Sequence, residues 1–213
     1  MNHVVLLGDS IFDNASYVSG EPSVIEQLRG ALAARAPSPW EATLLAVDGD
    51  VIVDVSRQLA KLPADASHLV VSCGGNDALG YSHVLRRPVA TVGEACLLLD
   101  PLCHKFRGHY RQMVAHLRRF ELPVVLCTVY NAVPGLGRDA YTALALFNEI
   151  ILHEAAAAGL SVLDLRLVCA EVEDYSPLSP VEPSARGGEK IAQALTRCLL
   201  AGENDRPCCH LYR

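Results

Sequence analysis

The run Val4-Val5-Leu6-Leu7-Gly8-Asp9-Ser10 decides how the chain is read. Its first four residues are apolar without a break, as in a short strand covered on both faces. Gly8-Asp9-Ser10 ends the run abruptly. A sharp turn at the mouth of a buried strand pushes a serine hydroxyl out of the sheet, where a substrate can reach it. Four similar runs follow, at Thr43 to Val47, Leu69 to Cys73, Pro123 to Val129 and Ser161 to Leu165. The first of these four is stopped by Asp48-Gly49-Asp50 and the next by Gly74-Gly75-Asn76-Asp77.

Helical spacing fills the intervals. Val24, Ile25, Leu28, Ala31 and Leu32 share one face, with Pro22 ahead of them and Pro37 and Pro39 behind. Further helices are predicted over Val53 to Leu62, around Phe106, Tyr110, Met113, Val114 and Leu117, and over Asp139 to Ala158 with Gly159 as cap. A last helix runs from the N-cap Ser184 to about Leu200. Residues 78–103 lack clear periodicity and read as an irregular insertion, with a short helix around Val92 to Leu99. A segment of that kind serves as a lid, a substrate-binding wall or a structural insertion. Five strands alternating with five helices give an α/β, three-layer sandwich on a five-stranded parallel sheet. Residues 1–213 are expected to form a single domain, with 201–213 as a polar tail. Ligands of such sheets sit beyond the carboxyl ends of the strands, and three of those ends carry Ser10, Gly49 and Asn76.

The bulk properties narrow the function. The 213 residues are 51% apolar and 20% charged, which suits a globular core. A net charge of −6 and the lack of a basic tract argue against nucleic acid as a partner. No apolar run approaches the roughly 20 residues of a membrane span. The first strand starts within three residues of Met1, which leaves no room for a signal peptide, so a cytoplasmic location is expected. Cys73, Cys127 and Cys169 lie in or beside apolar runs, where cysteine acts as a small hydrophobe, and no Cys-x-x-Cys pair occurs. Cys208-Cys209-His210 offers metal-ligand types but sits in the polar tail, for which a loose, reduced terminus is the simpler reading.

A serine that attacks an ester needs donors for the oxyanion, worth about 3–4 kcal/mol each when fixed in advance. The N–H groups of Ser10 and Gly49 and the neutral side-chain amide of Asn76 are suited to that task. Asp9 and Asp77 fit better as braces of their turns. In these blocks the chain resembles the SGNH/GDSL hydrolase family: Gly8-Asp9-Ser10 is similar to its first block, Gly49 to its second and Gly74-Gly75-Asn76-Asp77 to its third. The resemblance implies a flavodoxin-like sheet of order 2-1-3-4-5 and hydrolysis of esters. It also implies Ser10 as nucleophile, with Ser10, Gly49 and Asn76 as the oxyanion hole. No Gly-x-Ser-x-Gly elbow of an ordinary α/β-hydrolase is present.

The last block departs from that pattern. The family carries Asp-x-x-His there, whereas this chain has Ser179-Pro180-Val181-Glu182-Pro183 ahead of Ser184. Glu182 stands at the histidine's place and Ser179 at the aspartate's. With a pKa of about 4.3 against 6.5, glutamate is a base weaker by roughly two units, or about 3 kcal/mol of driving force. That costs a rate factor of roughly ten to a hundred, which burial of the carboxyl recovers by raising its pKa. His83, His104 and His109 follow or lie in the insertion and read as solvated or core-satisfied, and Asp174 as a surface carboxylate.

The expected activity is hydrolysis of small-molecule carboxylic esters with small acyl groups, using Ser10, Gly49, Asn76 and Glu182 and requiring no metal or organic cofactor. A second reading is a catalytically impaired ligand-binding protein that keeps the fold and the pocket. A mononucleotide binder of flavodoxin type is the third, and the lack of a glycine-rich phosphate loop argues against it.

Overall fold

The computed structural model describes residues 2–201. Among them are five parallel strands: β1 (Asn2–Gly8), β2 (Trp40–Leu44), β3 (His68–Ser72), β4 (Val124–Cys127) and β5 (Ser161–Leu163). They lie in the order β2-β1-β3-β4-β5, as the family resemblance implied. The helices are α1 (Val24–Arg35), α2 (Val55–Leu59), α3 (Gly75–Gly80), α4 (Val92–Leu117), α5 (Arg138–Ala158), α6 (Leu165–Val168) and α7 (Ala185–Leu200). Residues Val4 to Leu7 are 0% exposed. Val5 and Leu7 point into a core built with Phe106, Tyr110 and Phe147 of α4 and α5. Val4 and Leu6 point the other way, onto α1 and α7 through Leu28, Leu32, Ile191 and Leu195. The period-two alternation of a strand thus serves two apolar layers, and for that reason the run carries no polar residue.

Local chemistry sets several of the helix ends. Ser23 and Glu26 close a capping box at the start of α1. The Ser184 hydroxyl accepts the Gly187 N–H at the start of α7. Gly159 ends α5 at φ 69°, and its N–H meets the Ala155 and Ala156 carbonyls.

Three expectations need correction. β2 begins at Trp40, before the apolar run Thr43 to Val47, because it is an edge strand whose residues are only partly covered. Residues 45–47 still bond to β1, through Leu45 and Ala46 N–H to Leu6 O and Val47 N–H to Gly8 O. The helix expected over Val53 to Leu62 is a 3-10 turn, Ile52–Asp54, followed by the five residues of α2. Most of all, residues 78–103 are not an irregular insertion. They hold the second half of α3, a 3-10 turn at Ser82–Arg86 and the first half of α4, which continues unbroken through Pro101 for 26 residues. Pro101 withdraws one N–H, but it lies on the exposed side, where water can serve the Leu97 carbonyl. Burial of Phe106, Tyr110, Met113, Val114 and Leu117 then carries the helix past the proline. The helix starts at Thr91, whose hydroxyl accepts the Glu94 N–H at 3.1 Å.

No helix among the described residues is long and apolar enough to cross a membrane. Cys73, Cys127 and Cys169 are buried free thiols, and burial pushes the pKa of each upward. The segment Cys208-Cys209-His210 lies outside the described residues.

Candidate active site

Everything at the site starts from the way β1 ends. Gly8 has φ 123°, and a Cβ there would lie 1.7 Å from the Ser72 carbonyl oxygen of β3, so only glycine fits. The chain then turns through Asp9, whose N–H reaches Ser72 O and whose carbonyl accepts from Phe12 and Asp13. Asp9 Oδ1 accepts the Ile11 N–H at 3.2 Å, which closes the turn around Ser10. Asp77 braces as well, but between loops: its Oδ2 accepts the Ile52 N–H at 3.0 Å.

Gln58 of α2 holds the turn from behind. It accepts the Gly8 N–H at 2.8 Å, donates to Gly8 O at 2.7 Å, and donates also to Asp50 Oδ2 at 2.8 Å. Asn76 Nδ2 donates to the Asp50 carbonyl at 2.9 Å. The loop after β2 is therefore tied to the β1 turn and to Asn76 through Asp50. Gly49 sits at its tip with φ 82°, exposed and outside the pocket lining.

Glu182 arrives from the far end of the chain on a loop with four restraints. Tyr175 and Pro183 form an antiparallel bridge. The Ser176 N–H donates to Glu182 O at 2.8 Å, and the Tyr130 hydroxyl donates to Val181 O at 2.6 Å. The buried Asn14 joins this loop to the β1 turn, donating to Pro183 O at 3.2 Å and accepting the Val24 N–H at 2.9 Å. The Ser10 hydroxyl lies near enough to the Glu182 carboxylate to lower its pKa, and Glu182 Oε2 is buried without a hydrogen-bond partner.

Gln58, Asn14 and Tyr130 escaped the sequence reading. Asn14 and Gln58 stand beside other polar residues, Asp13 and Ser16 for the one and Ser56 and Arg57 for the other, so nothing local in the sequence marks them as buried braces.

Charge is concentrated and poorly hydrated here. Burial raises the Glu182 pKa, the neighbouring Ser10 hydroxyl lowers it, and the nearby Asp48 raises it, with a net upward shift. Asp9 is buried, and desolvation with repulsion from Glu182 and Asp77 pushes its pKa up to about 8 despite the Ile11 N–H. It is therefore mostly a neutral acid at pH 7. Desolvation also raises Asp77.

Ser10, Asn76 and Glu182 are among the residues that line an open pocket of about 110 Å³. Its walls are mostly apolar: Ala78, Leu79, Tyr81 and Leu85 after β3, Leu99 and Leu102 of α4, Val129, Tyr130, Val133 and Leu136 after β4, and Ala143, Leu144 and Phe147 of α5. Residues 78–103 thus supply one wall.

No histidine lines the pocket among the described residues. His83 and His104 are exposed and bond to the nearby carbonyls of Gly80 and Asp100. His109 is half-buried on α4, near enough to Asp77 to lower its pKa. Asp174 is no surface carboxylate: it is 0% exposed, with Lys190 Nζ at 2.7 Å and Arg186 Nε at 3.5 Å. Its carbonyl accepts the Ser184 N–H at 2.9 Å, which fixes the end of the Glu182 loop.

Comparison with known proteins agrees with this architecture. A lipase/acylhydrolase from Enterococcus faecalis shares 20% identity at a TM-score of 0.70, over 99% of this chain and 100% of that one. The lipase Lip_vut3 from a goat rumen metagenome shares 19% at 0.73, over 94% and 98%. Axe2, an acetylxylan esterase from Geobacillus stearothermophilus, shares 16% at 0.68, over 97% of each chain. No curated protein matches the sequence significantly. The model of the GDSL-like lipase/acylhydrolase family matches residues 6–190, nearly the whole described chain, and the protein belongs to that family.

Proposed function

We propose that this protein hydrolyses small-molecule carboxylic esters through Ser10, with Glu182 as general base. Ser10 Oγ attacks the ester carbonyl while its proton passes to the Glu182 carboxylate. The Ser10 and Gly49 N–H groups and the free amide hydrogen of Asn76 receive the oxyanion. The proton then goes to the departing alkoxide, and a water deprotonated by the same carboxylate releases the acid. No metal or organic cofactor enters these steps. The observation that carries this reading is the meeting of Ser10 and Glu182 in the lining of one pocket, the carboxylate made more basic by burial. The lipase and esterase relatives support ester chemistry.

The direct test is labelling with a fluorophosphonate, which reacts with activated serines. We expect one adduct per chain, mapped to Ser10 and missing from Ser10→Ala. A wild-type protein that stays unlabelled after hours at pH 8 would favour the ligand-binding reading.

The apolar walls extend the expected acyl group from acetyl to chains of several carbons, since each buried methylene contributes about 0.8 kcal/mol. p-Nitrophenyl hexanoate is then a better substrate than the acetate by kcat/KM, roughly tenfold or more. Ala143→Trp, which narrows the pocket from α5, removes that preference and spares acetate. Equal loss on both esters would show that the pocket does not hold the acyl chain.

A further inference from the structure

A second cluster lies at the opposite end of the sheet from Ser10. His3 of β1 and Glu41 of β2 are register partners, so their side chains leave the sheet on the same face. Asp65 joins them from the turn before β3. That turn is held against His3 by Ser67, whose hydroxyl accepts the His3 N–H at 2.7 Å and whose N–H donates to His3 O at 2.8 Å.

The imidazole is positioned with unusual firmness. His3 is 4% exposed, and its Nε2 pairs with the Thr43 hydroxyl at 2.8 Å. Its Nδ1 is buried and forms no hydrogen bond, although Asp65 Oδ1 stands 3.1 Å away and Glu41 Oε2 3.9 Å away. A buried nitrogen lone pair facing two carboxylates is unfavourable unless a positive charge lies between them.

A proton on Nδ1 would supply that charge, but the N–H would then be expected to point at an oxygen. A metal ion instead needs the three atoms spread around a common centre. Two ligands about 2.1 Å from one tetrahedral ion stand roughly 3.4 Å apart, and the observed 3.1 and 3.9 Å bracket that spacing. All three ligand atoms lie within 4.8 Å of one another.

We infer that His3 Nδ1, Glu41 and Asp65 form a binding site for a divalent cation of the zinc class. Imidazole with two carboxylates suits zinc better than the all-oxygen sets of calcium or magnesium. Thr43, by holding Nε2, orients the ring as an outer-shell partner does. Glu41 and Asp65 have side chains 53% and 63% exposed, which leaves an entry path and a position for water. The ion would clip the edge strand β2 and the turn before β3 to β1. It lies away from the catalytic groups, so its role is to brace the sheet rather than to act on the ester.

The test is equilibrium dialysis of the full chain against micromolar zinc chloride, with wild type beside the double variant Glu41→Gln/Asp65→Asn. Both substitutions are isosteric and at exposed side chains, so the fold is expected to survive, which circular dichroism checks. The variant should bind about one zinc per chain less, and zinc should raise the wild-type Tm by roughly 5 °C but not the variant's. Zinc bound by cysteines elsewhere is common to both proteins and cancels in the difference. Equal stoichiometry and equal Tm response would overturn the site, as would a wild type that binds no zinc, which would leave only an imidazolium–carboxylate ion pair. Anomalous diffraction at the zinc edge must place the ion at His3, and a peak elsewhere alone would overturn the proposal as well.

Discussion

Ser10→Ala should lower kcat/KM on p-nitrophenyl esters at least a thousandfold, and Glu182→Gln should come within about tenfold of the same loss. In the proposed mechanism nucleophile and base act as one unit, so the double variant should be little worse than Ser10→Ala alone. The pH profile separates the roles. Glu182 accepts a proton only when ionised, so wild-type kcat/KM should rise with pH through the carboxyl's pKa. Burial places that rise above the usual range of about 4.3 for glutamate. Glu182→Gln should abolish the rising limb. Glu182→His should restore it near the imidazole pKa of about 6.5 and raise the rate over wild type, by less than the roughly ten- to hundredfold set by the basicity of the free groups because burial already makes Glu182 more basic. The loop can accept that change, because Tyr130, Ser176 and Asn14 hold its backbone rather than the Glu182 side chain. A wild-type profile flat from pH 5 to 9 and unchanged in Glu182→Gln would remove glutamate from the mechanism while leaving Ser10 open to the labelling test.

The second large effect concerns stability. Asp9 ionises near pH 3.8 when unfolded and near 8 in the fold. Between those values the unfolded chain has released a proton that the native protein keeps. Native stability is therefore highest below the lower value and falls as pH rises toward the higher one. At about 1.36 kcal/mol per unit, the loss approaches roughly 5 kcal/mol by pH 8. Asp77 and Glu182, also raised, act in the same direction. Asp9→Asn keeps an oxygen for the Ile11 N–H and carries no charge. Its Tm should exceed wild type by roughly 10 °C at pH 8, with the gap closing toward pH 4. Parallel melting curves across that range would mean that Asp9 is ionised in the native state. A protein that keeps three acids together at the cost of stability has a functional reason for doing so, and a basic carboxylate beside Ser10 supplies one.

Much of the fold was legible for a plain reason. A parallel strand covered on both faces can carry only apolar residues, so Val4 to Leu7, Leu69 to Val71 and Leu126 to Cys127 stand out as runs. The caps at Ser184 and Gly159 were legible because the chemistry of a helix end is local. β2 and α4 were not. The edge position relaxes the pattern of β2, and in α4 the packing of Phe106 and Tyr110 outweighs the local cost of Pro101.

The candidate site divides along the same line. The sequence by itself determined that Ser10 and Asn76 stand at strand ends, since Gly8 permits the turn after β1 and Asn76 lies in the first turn of α3 after β3. Only the tertiary structure decided that Glu182 meets Ser10, that Asp9 is held neutral, that Asp174 is buried under Lys190 and Arg186, and that His3 faces two carboxylates. Those outcomes depend on contacts between segments distant in the chain and on how much water the contacts exclude. Neither distance nor desolvation is a property of any local stretch of residues.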